Sequence, residues 1–125
     1  MTEPKEGIQH REARRLVEFY LKLRGRVVAE GNSIAFNPKF VIDNKLEKRF
    51  QGHSYDIVTQ EEIIEIDDLN SHPKKSHRIA DGIAEKYIKE YHPEYKFYRL
   101  LKEELVDKNG WIQPDCYEYL RKNLF

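Results

Sequence analysis

A single cysteine, Cys116, leaves the chain unable to form an internal disulfide, so a reducing compartment is expected. No apolar run reaches the length of a secretory signal or a membrane span, and a soluble, cytoplasmic protein with no membrane partner is the expectation. Neither charge is in excess: 22 Lys and Arg balance 22 Asp and Glu. Attraction to nucleic acid therefore has to come from local clustering of charge. Repeats and low-complexity segments are also missing, and 125 residues suffice for one core but not two. What is present is enough to fold: 39% of the residues are hydrophobic and 12% aromatic, against 35% charged.

Residues 1–9 carry Pro4 and Gly7 and little apolar content, which predicts a flexible tail before a single domain over 10–125. From His10 to Arg24 the apolar residues Ala13, Leu16, Val17, Tyr20 and Leu21 recur at three- and four-residue spacing, and Gly25 follows as a stop; this is a first helix. Its polar positions are rich in arginine: Arg11, Arg14, Arg15 and Arg24. Short apolar runs at 26–29, 34–36 and 40–42 read as strands broken by Asn and Pro. The segment 45–52 is a polar loop whose Lys48 and Arg49 suit a phosphate backbone or an ordinary surface. Later, 77–91 reads as an amphipathic helix with Ser76 as N-cap, 95–101 as a strand, and Pro114-Asp115 as the opening of a last helix. Trp111 and the tyrosines read as packing residues, although Tyr55 beside Asp56 could stack on a base.

The chemistry concentrates in the segment from Tyr55 to Asp68. Two β-branched runs joined at Thr59-Gln60 predict a hairpin. Alternation along its second strand places Glu65 and Asp67 on one face and Ile64 and Ile66 on the other. With Asp56 on the neighbouring strand, three carboxylates converge, an arrangement made comfortable by a hard cation and its waters. The competing reading is a solvated acidic face, which would repel itself.

The order of elements and these acids resemble the restriction-endonuclease-like fold of the PD-(D/E)xK nuclease superfamily. Asp56 matches the first Asp of that motif, Glu65 the second acid, and Asp67 stands where lysine is usual. Glu12 matches the acid of the first helix, with Glu18 as the alternative. The run Glu65-Ile66-Asp67-Asp68, then His72, a basic loop, Asp81 and a strand ending in Tyr98-Arg99-Leu100, is similar to uncharacterised families related to the very-short-patch repair endonuclease. Two departures stand out: Tyr55 replaces the proline before Asp56, and no lysine lies two residues after Glu65.

The resemblance implies an α/β fold with a central mixed β-sheet of about four strands flanked by helices. It also implies a DNA endonuclease of repair, recombination or mobile-element processing, of the kind that often dimerises to cut both strands. Mg²⁺ or Mn²⁺ would be held by Asp56, Glu65, Asp67 and Glu12, with the Ile66 carbonyl as a further oxygen. His72 would act as general acid or base, and Lys75, Lys74 or Arg78 would stand in for the missing lysine. Arg11, Arg14, Arg15, Lys48, Arg49, Lys74 and Arg78 would grip the DNA backbone. The alternatives are a non-catalytic nucleic-acid-binding member of the same fold and an assembly subunit, the latter marked by an exposed apolar patch around Tyr117, Leu120 and Phe125.

Overall fold

The computed structural model describes residues 7–69 and 75–125, with side chains for 7–69 and 82–125. Most of the expected tail lies outside these residues, and the first helix, α1 (Ile8–Leu23), already includes its last two positions. Ala13, Val17, Tyr20 and Leu21 supply the buried stripe of α1. The helix ends at Gly25, whose φ of +79° suits a residue without a Cβ. The Arg26 N–H donates to the Leu21 carbonyl and the Gly25 N–H to that of Lys22, which together form a Schellman cap.

The strand β1 (Ser33–Ala35) pairs antiparallel with β2 (Gly52–Ser54), Ile34 lying opposite His53. Between them sits α2 (Pro38–Asp43), where the sequence predicts a strand over 40–42. The correction has a local cause. Asn37 accepts the Lys39 N–H at 2.9 Å and Pro38 occupies the first helical turn, and three apolar residues are too few to set a competing period. A 3₁₀ turn at Lys48–Phe50 then leads into β2.

The main sheet holds β3 (Ile57–Val58), β4 (Glu62–Asp67) and β5 (Lys96–Leu101) in that order. The expected hairpin forms, with Ile57 opposite Ile64 and Val58 opposite Ile63. β5 runs parallel to β4, and α3 (Lys75–Tyr91) provides the long crossover that a parallel neighbour requires. α3 opens one residue before Ser76, so Ser76 is not its cap.

The sheet has three strands, not about four. The segment 26–29 contributes one bridge, Val28 to Thr59. Its preceding amides are engaged elsewhere: Arg26 N–H closes the α1 cap and Val27 N–H donates to Gln60 Oε1 at 3.1 Å. A short helix not expected from the sequence, α4 (Lys102–Leu105), follows β5 directly, and α5 (Cys116–Asn123) follows as expected.

Both faces of the sheet are covered. On one, α1, α4 and α5 pack Val17, Leu21, Leu105 and Leu120 over Ile57, Ile64, Ile66 and Leu100. On the other, Phe36, Phe40, Ala84, Tyr87 and Ile88 pack over Tyr55, Val58 and Ile63. The architecture is mixed α/β, with two small sheets and five α-helices among the described residues. No helix among them is long and apolar enough to cross a membrane.

Candidate functional site

Burial on both faces changes the setting of the acidic strand. Ile63, Glu65 and Asp67 share a side of β4, and that side lies beneath α3 and the β1–β2 ribbon. Glu65 is consequently 7% exposed and Glu62 1% exposed. Buried charges need partners. Glu62 receives Arg26 Nε at 3.0 Å and the Thr59 hydroxyl at 2.5 Å. Glu61 also meets Arg26, Asp67 meets Arg99 Nη1 at 3.2 Å, and Asp68 meets Lys102 Nζ at 2.5 Å. Each acid from 61 to 68 except Glu65 therefore meets a cation, Glu61 and Glu62 sharing Arg26. Among the described residues, neither Glu65 nor its neighbour Asp56 has an arginine or lysine partner.

These two carboxylates are interlocked through the backbone. The Asp56 N–H donates to Glu65 Oε1 at 2.8 Å, and the Ile66 N–H donates to Asp56 Oδ2 at 2.7 Å. A bend at Asp56 makes this possible. Tyr55 and Ile57, which a regular strand would send to one side, enter opposite cores, so the Asp56 side chain turns across the end of β3 onto β4. Asn32 fixes the bend by exchanging two hydrogen bonds with the Tyr55 backbone, at 2.6 and 3.0 Å.

A histidine stands at each end of the pair: His10 Nε2 lies 3.2 Å from Asp56 Oδ1, and His53 Nε2 lies 3.2 Å from Glu65 Oε2. Burial pushes the Glu65 carboxyl above the usual carboxylate range. The negative charge of Asp56 adds to this, while the contacts with His53 and the Asp56 N–H partly offset it.

Asp56 also borders a cavity of about 110 Å³ with Arg14 and Glu18 in its wall. His10, Arg14 and Glu18 follow one another at four-residue spacing, so a single side of α1 faces this end of the sheet. Glu18, and not Glu12, is thus the helical acid beside Asp56. Glu12 meets Arg11 and Arg15 instead and lies against the Gly110 turn.

Asp67 stands on the Glu65 side of β4 but is held by Arg99, the residue opposite Glu65 in the β4–β5 register. Arg99 also donates to Glu85 at 2.9 Å. Burial opposes the guanidinium charge, but the hydrogen bond to Glu85 and the charge of Asp67 outweigh it, and the Arg99 pKa lies above its ordinary value. For Glu85, burial alone would raise the carboxyl. The bonds from Lys89 and Arg99 prevail and hold it lower.

Among the residues expected to touch DNA, Arg14 is paired with Glu18 at 3.2 Å and Arg15 with Glu12 at 3.4 Å, whereas Lys48 and Arg49 stand on the exposed 3₁₀ turn. His72 and Lys74 lie outside the described residues, as do the side chains of Lys75 and Arg78. One expectation of packing, at Trp111, and two of exposure, at Tyr55 and on the last helix, need correction, while the packing reading of Tyr55 holds. Tyr55 is fully buried with its hydroxyl donating to the Ala84 carbonyl at 2.8 Å, so it cannot stack on a base. Trp111 is 73% exposed, held outside the core by a turn in which the Asp107 carboxylate accepts its backbone N–H. Leu120 and Leu124 enter the core and Phe125 packs against it, leaving Tyr117 alone to represent the apolar patch expected on the last helix.

His10 and His53 are the members of this neighbourhood that the sequence motif does not contain, while Glu18 entered it only as the alternative to Glu12 and Arg99 only within the run Tyr98-Arg99-Leu100. Each arrives by a tertiary contact from another element, and only the four-residue spacing of His10 and Glu18 about Arg14 hints at a shared side. Comparison with protein-family models, with curated proteins and with solved structures finds no match to this chain.

Proposed function

We propose that the chain is a metal-dependent nuclease of the restriction-endonuclease-like class that hydrolyses DNA phosphodiester bonds. One observation carries the reading: in a strand whose other acids each have a cation, the buried Glu65 is locked to Asp56 with no cation on either among the described residues. Two hard oxygen donors at the end of a sheet suit Mg²⁺ or Mn²⁺. Among the described residues no group of three His, Cys, Asp or Glu is placed as a metal cage. Mg²⁺ is usually held by one or two carboxylates, the remaining positions going to water and substrate phosphate.

Asp56, Glu65 and the Ile66 carbonyl would hold the ion, which when bound supplies an acidified water and counter-charge for the phosphate oxygens. The protein's own groups do the rest. His53 and the Asp56 amide fix the two oxygens of Glu65, so the carboxylate is oriented before any ligand arrives. His10 lies within hydrogen-bonding reach of the second Asp56 oxygen and orients that carboxylate. Arg99, from β5, keeps a permanent positive charge on the Glu65 side of the sheet beside Asp67, the position at which the resembled motif carries lysine.

A second reading, a nucleic-acid-binding module without catalysis, is favoured by the Asp67–Arg99 pair, which leaves Asp67 already neutralised. Labelled duplex, branched and single-stranded DNA incubated with Mg²⁺, Mn²⁺ or EDTA separates the two. Cutting that needs the metal and falls more than about 100-fold in both Asp56→Asn and Glu65→Gln is the expected result. Retention of DNA without cutting under every condition selects the second reading.

A further inference from the structure

His53 faces two ways. Its Nε2 holds Glu65, and the ring also lines an open groove of about 390 Å³ across the β1–β2 ribbon, together with Ser33, Ile34, Lys48, Arg49 and Gln51. In a chain with no net charge, the residues lining this groove include Lys48 and Arg49 and not one acid. Lys48 has no acidic partner among the described residues. Arg49 has only Glu47 at 3.1 Å, a pair about 70% exposed on both sides and correspondingly weak. The Ser33 and Ser54 hydroxyls, 2.7 Å apart, add polar groups of the kind that meet phosphate and sugar.

Next to this groove lies an aromatic platform. The Arg49 guanidinium sits 4.5 Å from the centre of the Phe50 ring. Phe50 in turn lines a small cavity with His53 and Ile83, and a further depression of about 310 Å³ with Lys45 and Leu46. The larger depression beside the ring has room for a single base but not for a duplex, whereas the small cavity, about 20 Å³, holds no more than a water. A ring is useful only to a base taken out of its stack, because a duplex presents phosphates and base edges but no base faces.

We propose that the β1–β2 ribbon and the Lys48–Phe50 turn bind an unpaired polynucleotide strand, with Lys48 and Arg49 on phosphates and Phe50 beneath a base, and lead it past His53 to Asp56 and Glu65. Delivery to the carboxylates rests on the nuclease reading; the strand site itself does not.

Fluorescence polarisation in EDTA tests it, with labelled single-stranded oligo(dT) and oligo(U) of about 15 nucleotides and a duplex of equal length. A single-stranded probe is expected to bind at least about 10-fold more tightly than the duplex. Lys48→Ala/Arg49→Ala should weaken binding about 10-fold or more and lower the slope of log K against log salt by about 1.4, the share of two phosphate contacts on a single strand. Phe50→Leu, which keeps the apolar volume and removes the ring, should cost about 10-fold. Arg121→Ala/Lys122→Ala on α5 should stay within about twofold of wild type, the margin for losing two cations outside the groove. Equal or tighter duplex binding, or unchanged binding in the Lys48/Arg49 variant, overturns the strand site. Cutting by a wild type whose binding ignores Lys48 and Arg49 leaves the nuclease reading intact and removes the groove. Groove-dependent binding without any cutting does the opposite.

Discussion

Glu65 carries a measurable burden in the absence of a cation. Its folded carboxyl titrates above its unfolded value because burial disfavours the charge. Below the ordinary carboxylate range both states are protonated and the group is neutral to stability. As pH rises through the unfolded value toward the folded one, the folded state holds the extra proton, and stability falls across that window. Thermal melts in EDTA should show the melting temperature declining above about pH 4.3, the ordinary glutamate value, with the decline flattened in Glu65→Gln. Glu85 acts with the opposite sign: its lowered carboxyl loses stability as pH falls below the ordinary range, so the two contributions occupy different windows. The importance of Glu65 is legible in the sequence because alternation along 62–67 fixes its side of the strand. Its isolation is not, since Arg26, Arg99 and Lys102 reach the other acids from distant segments. His53, a lone histidine between Gly52 and Ser54, carries no local mark at all.

At the scale of elements, what could be read depended on whether the signal was local. α1 has four buried residues on one helical period and a glycine stop, and its buried side and its end follow from the chain alone, although it begins two residues before the expected start. Gly25→Ala isolates that cap: nothing lies within 4 Å of the added Cβ, so the cost comes from the positive φ. A loss of about 1–2 kcal/mol in denaturant unfolding is expected, and no loss would mean the cap does not set the helix end. The hairpin and β5 are rich in β-branched and aromatic residues and were equally legible. α2 was not, because Asn37-Pro38 also reads as a strand breaker; only the following residues decide that it starts a helix. The strand over 26–29 shrank to a bridge because two amides found partners outside the ladder, a competition invisible to propensity.

At the scale of the whole molecule, a parallel crossover and a ribbon bury the sheet, which rules against the competing reading of its acids as a solvated face. This enclosure accounts for the pattern of charge. Salt bridges formed where cations were available, and one carboxylate pair was left where a mobile cation could complete it. The bend at Asp56 and the burial of Tyr55 are parts of the same arrangement, since the ring anchored to Ala84 turns the next residue toward β4. The most direct test is calorimetric titration of the chain with Mn²⁺ and Mg²⁺. One ion per chain should bind, more weakly by at least about 10-fold in Asp56→Asn and Glu65→Gln, and within about twofold of wild type in Asp67→Asn, whose partner is Arg99. Absence of binding, or binding indifferent to Asp56 and Glu65, would contradict the assignment of this pair as the cation-holding centre.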